Sequence, residues 1–347
     1  MNELMNSPRV SIIIVNWNGM EYLENCLGSL KSQTFTDFEV ILVDNGSCDG
    51  SVKFVTERYP WVKIIDLPEN MGFASGNNVG VAQTKGEYIV TLNNDTEAEP
   101  EWLAAIVKVA DDNPQAGMVG SRICSFADHD LIDSIGHGVC RDGMSRGRYR
   151  LQRWSLLEMG EVEEIFFPSA CVALYRRKML DETGFFDDDF FAYCEDTDLG
   201  LRGRLAGWGA LLATRAVVYH KYSGTGGVFS PMKIYLVERN HYWVALKNFP
   251  FRLLILLPFF TIIRYLVQTR VVFYGKGSGR EFLASGYRWS IVMAVIKGTW
   301  GAFHGMPRML AKRRQVMGTR KICGRELIRL LKFYRLSFRE LLDNAAG

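Results

Sequence analysis

The order of apolar and polar positions predicts alternating strands and helices along the first hundred residues. Short apolar or β-branched runs occupy residues 10–15, 39–43, 61–65 and 87–92, and segments with helical spacing or helix-opening sequence occupy residues 22–30, 49–59 and 70–80. A run that is apolar on both faces suits a parallel strand covered by helices on both sides. Strand–helix alternation at this spacing indicates βαβ units. We therefore predict an α/β fold with a mostly parallel central sheet flanked by helices.

Three of these runs end in polar side chains, namely Asn16, Asp44 and Asp95. Ligands of open α/β sheets bind just outside the carboxyl ends of the strands, so three such ends on one edge predict a site. A carboxylate such as Asp44 can accept hydrogen bonds from a ribose hydroxyl or a base N–H. Ordinary Asx turns, or a helix cap at Asp44, are the alternatives.

A helix over residues 100–110 and a strand over residues 116–120 follow. Residues 121–164 are rich in Gly, Asp and Arg, and we expect an irregular insertion or hairpin that faces a substrate. His129 and His137 lie in it, and we interpret both as surface histidines.

A second stretch of candidate catalytic residues starts at Glu195 and Asp196. Leucines and arginines after them indicate a helix that ends at Gly207. Acidic residues are favoured in a first helical turn, which is sufficient to explain Asp198. Because residues 190–194 are largely apolar, a raised pKa and a role as general base are expected for the Glu195–Asp196 pair.

His220 follows two further strands, at residues 209–213 and 216–219. A structural histidine and a metal ligand are both open interpretations. The glycine-rich residues 221–227 would suit closure over a bound phosphate. The glycines at 72, 76 and 80 do not match the GxGxxG fingerprint, which disfavours an ordinary nicotinamide-binding domain.

Composition adds a strong asymmetry of charge. The 347 residues are 48% hydrophobic and 23% charged, as in a globular protein, and the seven cysteines contain no CxxC pair. A reducing, cytosolic environment accounts for them without zinc or disulfides. From residue 247 onward there are 19 Lys or Arg against four Asp or Glu, so this part of the chain is expected to face a polyanion.

The basic part also carries apolar runs at residues 249–263 and 287–296, both shorter than the roughly 20 residues of a spanning helix. We expect interfacial helices with Trp289, Trp300 and Phe303 at headgroup depth. A last, basic amphipathic helix is expected to bind anionic lipid through Arg325, Arg329, Lys332 and Arg339 beside Leu327, Ile328, Leu331 and Leu342. The alternative is a helical domain with a solvated basic face. No nucleic-acid motif is present, so we expect no nucleic-acid partner. The expected division is 1–228 and 229–347.

Taken together, several short motifs resemble glycosyltransferase family 2, in particular its bacterial rhamnosyltransferase-like branch. They are VNWNG (residues 15–19), VDNGS (43–47), NMGFASGN (70–77), LNND (92–95) and EDTDL (195–199). The resemblance implies a GT-A fold and a Mg²⁺ or Mn²⁺ ion held by Asp95 with His220. It further implies nucleotide-sugar contacts at Asn16, Asp44, Asn77, Asn94 and Asp95, and Asp196 as catalytic base in its pair with Glu195. Asn93 departs from the family's Asp-x-Asp metal motif.

The activity that the resemblance implies is inverting transfer of a sugar, best rhamnose from dTDP-rhamnose, to a polyprenyl-diphosphate-linked glycan in O-antigen or capsule synthesis. The enzyme would act at the cytoplasmic face of the plasma membrane, as a peripheral or monotopic protein. A UDP-linked donor, transfer of another hexose or deoxyhexose, and a homo-oligomer stay open. Alternatives are a nucleotidyltransferase, which would need a basic phosphate loop where residues 16–19 have none, and a non-catalytic nucleotide-binding scaffold.

Overall fold

The structure is a computed structural model that describes residues 7–221, 230–273 and 288–343. Of the predicted phosphate-closing segment, all but Lys221 lies outside these residues. The strands are β1 (Val10–Asn16), β2 (Phe38–Asp44), β3 (Lys63–Asp66), β4 (Tyr88–Leu92), β5 (Thr96–Ala98), β6 (Ala116–Ser125), β7 (Ile132–Ser134), β8 (His137–Val139), β9 (Ser145–Gly147), β10 (Val162–Glu164), β11 (Val172–Arg176) and β12 (Gly209–His220).

Helices follow most of the strands in the first half of the chain and occupy most of its end. They are α1 (Met20–Lys31), α2 (Ser51–Arg58), α3 (Gly72–Val81), α4 (Trp102–Asp112), α5 (Arg177–Thr183), α6 (Glu195–Leu205), α7 (Pro231–Asn248), α8 (Phe251–Phe273), α9 (Arg288–Thr319), α10 (Gly324–Phe333) and α11 (Phe338–Asp343). Short 3₁₀ helices span Trp154–Leu156 and Asp188–Phe190.

A ten-stranded mixed sheet lies at the centre. Its order is β10-β12-β6-β11-β4-β1-β2-β3, with β5 paired to β12 and β7 paired to β6. From β4 to β3 every pairing is parallel, as predicted. Because β11 is antiparallel to both β4 and β6, and β12 is parallel to β6, six of these strands run in one direction.

Alternate residues of the central strands enter two separate apolar cores. Ile13 packs into one core, whereas Ile12 and Ile14 pack into the other, and all three are fully buried. Burying each such side chain contributes about 1.5–3 kcal/mol. Apolar residues of α1 and α4 complete the core around Ile12, and α3 and α6 complete the core around Ile13. This two-sided burial explains why these strands carry apolar residues on both faces.

The region expected to be irregular contains more strand than predicted. β6 continues to Ser125, β7 adds to it, and β8 and β9 form a separate antiparallel hairpin. Strands of three residues are too short to produce a recognisable period of two. The two strands expected around residues 209–219 are one strand, β12, with an irregularity between Ala213 and Val217.

α8 is continuous through Pro258 and extends to Phe273, beyond the apolar run that was expected at residues 249–263. Length and composition alone would let Phe251–Val271 cross a bilayer, although 22% of that window is buried in the protein. One face of α8 exposes apolar side chains, including Phe251, Ile255, Phe259, Ile262 and Leu266. The opposite face packs on the protein through Leu257, Phe260 and Arg264.

α9 has a similar exposed apolar face. Trp289 is 81% exposed, Trp300 66% and Phe303 60%, and Val292, Met293 and Ile296 share the same side. We refer to the exposed faces of α8 and α9 together as the apolar surface. The other side of α9 packs along α7, for example through the Trp243 indole, which donates to the Ala302 carbonyl oxygen over 3.2 Å.

The expected last helix is two helices, α10 and α11. Leu327 and Leu331 are buried in the protein core and do not face lipid, Ile328 is half-buried, and the Leu342 side chain lies outside the described residues, so lipid binding by this region stays a prediction. An amphipathic pattern records one buried face without identifying what buries it. The basic side chains of Arg325, Arg329, Lys332 and Arg339 are exposed, as expected.

Candidate active site

Polar side chains at the ends of three adjacent strands contact one another. β4, β1 and β2 are parallel neighbours, so their carboxyl ends share one edge of the sheet. Asn16 Nδ2 donates to Asp44 Oδ2 over 2.9 Å, and Asn94 Nδ2 donates to Asn16 Oδ1 over 2.7 Å. Three of the predicted nucleotide-sugar-binding residues therefore form one buried chain at the edge where open α/β sheets bind ligands.

Asp44 also organises the turn after β2. Its Oδ1 accepts from the Ser47 backbone N–H over 2.8 Å. The start of α2 is stabilised by Asp49 instead, whose Oδ1 accepts from the Ser51 backbone N–H over 3.0 Å. Asp44 thus does not cap α2. Each oxygen of the Asp44 carboxylate can accept a second hydrogen bond.

Asn45, the residue after Asp44, connects β2 to α3. Its Nδ2 donates to Asn70 Oδ1 over 3.0 Å, and its Oδ1 accepts from the Met71 backbone N–H over 2.9 Å. Sequence reasoning missed this role, although a polar residue after an apolar run was the available signal. Asn77 is buried inside α3, where its Nδ2 donates to the Phe73 carbonyl oxygen over 2.9 Å. The structure does not join it to Asn16, and its nucleotide contact stays a prediction.

His220 lies between two carboxylates. Its Nε2 is 3.2 Å from Asp95 Oδ1, and its Nδ1 is 2.7 Å from Asp133 Oδ2. Burial disfavours the charged imidazolium, but the Cys171 sulfur and hydrogen bonds to Asp133 and Asp95 outweigh it and hold the pKa of His220 well above its usual range. Asp133, which also pairs with Arg150, was not predicted, since a lone aspartate in a short strand gives no signal.

Asp95 and His220 could contribute one oxygen and one nitrogen to a divalent cation. A metal-binding histidine is commonly oriented by a carboxylate on its other ring nitrogen, which is the position of Asp133. Within residues 7–221, 230–273 and 288–343, no group of three His, Cys, Asp or Glu side chains could hold a metal ion. A cation bound by Asp95 and His220 would therefore need further ligands, which phosphate oxygens of a bound donor could supply.

The Glu195–Asp196 pair opens α6. Glu195 is 6% exposed, and its Oε2 has no hydrogen-bond partner among the described residues. Burial, together with the neighbouring Asp196, raises the pKa of Glu195 to about 8. Asp196 Oδ1 accepts from the Thr197 backbone N–H over 2.6 Å, and its Oδ2 from the Ala170 backbone N–H over 3.4 Å. At neutral pH Glu195 is thus largely protonated.

The segment before α6 has a strained backbone. Phe191, Tyr193 and Cys194 have φ angles of 65°, 69° and 69°. Such left-handed conformations cost about 1–2 kcal/mol for each residue with a side chain. Asn240 of α7 stabilises them, since its Nδ2 lies 2.7–3.0 Å from three carbonyl oxygens, those of Phe190, Ala192 and Tyr193. The helical part of the chain therefore holds the segment that aims Glu195 and Asp196.

A short segment at the start of β11 connects the strand ends to α6. The Cys171 carbonyl oxygen accepts from the Asn93 backbone N–H over 2.8 Å. The adjacent Ala170 N–H is the donor to Asp196 Oδ2. Since consecutive Cα atoms are about 3.8 Å apart, the end of β4 and Asp196 are separated by little more than this segment. The end of β4 and the predicted base therefore both contact residues 170–171.

Asp198 has a structural environment, as predicted. Its Oδ2 lies 2.8 Å from both Arg202 Nε and Lys247 Nζ, and it is fully buried. Although burial alone would raise the pKa of Asp198, Lys247 and Arg202 hold it well below its usual range. This ion cluster joins α6 to α7.

The two histidines of the region before β10 differ. His129 is exposed and stacks on the Tyr219 ring, with ring centroids 3.6 Å apart. For His137 the prediction of a surface position is wrong, because its side chain is 12% exposed and its Nδ1 lies 3.7 Å from Asp196 Oδ2. The pairing of β8 with β9, which the sequence pattern did not indicate, brings it there.

Comparison with known proteins identifies relatives of the same family. The sequence model of glycosyl transferase family 2 matches residues 11–184. The N-acetylglucosaminyl-diphospho-decaprenol L-rhamnosyltransferase of Mycobacterium tuberculosis is 30% identical over 243 residues, which cover 62% of this chain and 77% of the relative. An O-antigen biosynthesis protein of Myxococcus xanthus is 27% identical over 263 residues, which cover 71% of this chain and 20% of the relative.

Solved structures share the fold. GalNAc-T7 with UDP, GalNAc and Mn²⁺ gives a TM-score of 0.57 at 17% identity, covering 70% of this chain and 48% of that one. Staphylococcus aureus TarS gives 0.53 at 16% identity, covering 90% and 55%. The chain thus spans about half the length of these solved chains. At such identities they establish the fold alone, and they confirm the predicted GT-A architecture.

Proposed function

Because the chain belongs to glycosyl transferase family 2, we propose that it transfers rhamnose from dTDP-rhamnose to a polyprenyl-diphosphate-linked glycan. The mycobacterial relative, named for rhamnosyl transfer to a decaprenol-linked N-acetylglucosamine, supports this sugar and this class of acceptor. The relative named for O-antigen biosynthesis supports a place in cell-surface polysaccharide synthesis. A UDP-linked sugar is the second donor to test.

One observation supports the proposal: residues 170–171 hydrogen-bond both Asn93, next to the chain of Asn94, Asn16 and Asp44, and the carboxylate of Asp196. A nucleotide held at the strand ends would present its sugar toward α6. A carboxylate at that position can take the proton of an acceptor hydroxyl.

In the proposed reaction, Asp196 Oδ2 removes the proton of the acceptor hydroxyl as that oxygen attacks the anomeric carbon of the donor. Attack comes from the face opposite the leaving nucleoside diphosphate, so the configuration at the anomeric carbon inverts. The anomeric carbon–phosphate oxygen bond breaks, and its electron pair leaves with the diphosphate. Glu195, largely protonated at neutral pH, adds no second charge to repel the phosphates.

Asp44 would accept hydrogen bonds from the nucleoside, and the site formed by Asp95 with His220 would lie at the donor's diphosphate. A Mg²⁺ or Mn²⁺ ion held there would neutralise the charge that develops on the leaving group. Asp133 would keep the imidazole of His220 oriented toward Asp95.

The apolar surface supports a position on the cytoplasmic face of the plasma membrane. Exposed aromatic and aliphatic side chains on α8 and α9, flanked by exposed Arg252, Arg270 and Lys297, match helices that lie in a membrane interface. Arg264, on the opposite side of α8, is buried in protein, which favours a helix that lies on the bilayer. A soluble donor and a membrane-bound acceptor would meet at this surface.

The test is incubation of the full chain with dTDP-rhamnose and a short polyprenyl-diphosphate N-acetylglucosamine, followed by measurement of released dTDP and of product configuration by NMR. Release of dTDP with an inverted product is expected. A matched reaction with UDP-sugars separates the donors. Binding of dTDP without release from any donor would favour the non-catalytic scaffold, and retained configuration would exclude the proposed attack.

A further inference from the structure

The two strands of the β8–β9 hairpin place side chains beside Asp196. His137 pairs with Gly147, and Val139 pairs with Ser145, so His137 and Ser145 project from the same face of the hairpin. Ser145 Oγ is 2.5 Å from Thr197 Oγ1, and Thr197 Oγ1 is 3.1 Å from Asp196 Oδ1. His137 Nδ1 approaches the other oxygen, Asp196 Oδ2, to 3.7 Å.

His137 is held rigidly in this position. Its backbone N–H donates to the Phe167 carbonyl oxygen over 2.9 Å, and its ring packs edge-on against the Phe167 ring at a centroid distance of 5.6 Å. Its Nδ1 is buried and has no hydrogen-bond partner among the described residues. Buried polar atoms are rarely left unpaired, and a catalytic hydrogen bond is often long until substrate binds.

Glu195 Oε2 is also buried without a hydrogen-bond partner among the described residues. Two adjacent carboxylates in a buried site repel each other, so their surroundings determine which of the two is ionised. A donor directed at one oxygen of Asp196 would do so, since a hydrogen bond to the charged form favours that form.

On this geometry, and resting on the proposed role of Asp196 as base, we propose that His137 is its positioning residue. In the acceptor complex the imidazole donates from Nδ1–H to Asp196 Oδ2. It thereby orients the carboxylate and makes Asp196, rather than Glu195, the charged member of the pair. His137 does not contact the reacting carbon and takes up no proton.

Other titratable groups around Asp196 are Glu195, Cys194 and Tyr175. Burial and the nearby carboxylates raise the pKa of both Cys194 and Tyr175 well above the usual values, so both stay neutral near pH 7. His137 thus joins the Thr197 hydroxyl as a neighbouring side chain that can stabilise the charge on Asp196.

Three variants test which ring nitrogen of His137 acts on Asp196. His137→Asn retains a donor near the Nδ1 position, and His137→Gln places its amide near Nε2. His137→Phe keeps only the ring. We expect Gln and Phe to lower kcat about 10- to 100-fold with donor KM unchanged, and Asn to recover most of the loss. The acid limb of the kcat/KM–pH profile should move up by about one pH unit in Gln and Phe, but not in Asn.

A titration that needs no turnover complements the kinetics. Carboxyl ¹³C NMR of the full chain with dTDP and the polyprenyl-diphosphate acceptor bound, and with the Asp196 signal assigned through Asp196→Asn, should show that the Asp196 pKa rises in His137→Phe and is unchanged in His137→Asn. If all three variants have the kinetics and the Asp196 titration of the wild-type protein, the role of His137 is overturned. If all three lose the same activity without a shift of the Asp196 titration, His137 has only a packing role.

Failure of this inference is distinguishable from failure of the proposed function. If Asp196→Asn abolishes transfer while His137→Phe does not affect it, the base stands and His137 does not position it. If Asp196→Asn turns over normally, the base itself is wrong.

Discussion

Arg264 and Asp142 form a fully buried ion pair. Arg264 Nε lies 2.5 Å from Asp142 Oδ2, and the two side chains are 1% and 0% exposed. Arg264 Nη2 also donates to Glu238 Oε1 of α7 over 2.9 Å. Asp142 lies in the turn between β8 and β9. The pair therefore ties α8, with its apolar outer face, to the hairpin that borders Asp196.

Removing the arginine of this pair should be costly. Arg264→Met leaves two buried carboxylates without their cation, and such losses typically cost about 3–5 kcal/mol. The free energy of unfolding, measured by urea titration in detergent, should fall by that amount. The control is Arg252→Met, on the exposed side of α8, which should change it by no more than about 0.5 kcal/mol. Equal stability of the two variants would contradict a structural role for the pair.

Glu195 should make the stability pH-dependent. Its pKa is about 8 in the folded protein against 4.5 for an unperturbed glutamate, so the folded state retains a proton that the unfolded chain has released between these values. Stability should therefore fall as the pH rises from 4.5 toward about 8, then level off. The slope is limited to about 1.4 kcal/mol per pH unit for one proton. Urea unfolding of Glu195→Gln should lack this component, and parallel curves for both proteins would refute the assignment.

The two carboxyl groups of the pair should respond differently to amidation. Asp196→Asn should lower kcat by about 10²-fold or more, with dTDP binding intact, because it removes the proposed base. Glu195→Gln should retain most activity at neutral pH, since Glu195 is largely protonated there. Steady-state kinetics at pH 7, with dTDP affinity by calorimetry, provide the comparison. The reverse ranking would make Glu195 the base.

Metal affinity should depend on Asp133, which would not itself bind the ion. Asp133→Asn frees the ring of His220 and should weaken Mn²⁺ binding about 10- to 100-fold in the presence of dTDP. Titration calorimetry measures this without turnover. Asp128→Asn, a more exposed aspartate in the same region, is the control. Undiminished Mn²⁺ affinity in Asp133→Asn would remove His220 from the proposed site.

Membrane binding should depend on the apolar surface. Combined serine substitution of Trp289, Trp300 and Phe303 should reduce partitioning into anionic vesicles at least about 10-fold, because each aromatic side chain loses about 1.5–3 kcal/mol of burial. Trp61→Ser removes a tryptophan that is 41% exposed outside α8 and α9 and should have no effect. Vesicle co-sedimentation measures both. Unchanged partitioning of the triple variant would place the membrane contact elsewhere.

Local patterns were sufficient for the parallel half of the sheet. The apolar run around Ile12 to Ile14 predicts a strand buried on both faces, and the polar residues after it predict the ligand-binding edge. The contact between Asn16 and Asp44 follows, because their strands are parallel neighbours in register. These features depend on neighbouring residues or on one strand pairing.

Contacts that depend on tertiary packing could not be predicted in this way. Asp133 reaches His220, and His137 reaches Asp196, through strands of only three residues each. Asn240 reaches residues 190–193 from a helix about 50 residues later in the chain. For the last helices, the sequence pattern indicated an apolar face, but whether lipid or protein covers it depends on the rest of the fold.

Because Asn240 donates hydrogen bonds to the strained segment before α6, the proposed catalytic unit includes part of α7. The family match ends at residue 184, and composition changes near residue 228, yet three carbonyl oxygens of that segment rely on one amide from α7. A chain shortened near residue 228 would retain the strand-end motifs while losing the partner that offsets the left-handed backbone at Phe191, Tyr193 and Cys194, and one shortened at residue 184 would lose that segment itself. The helices after residue 229 thus support the proposed active site as well as the proposed membrane location.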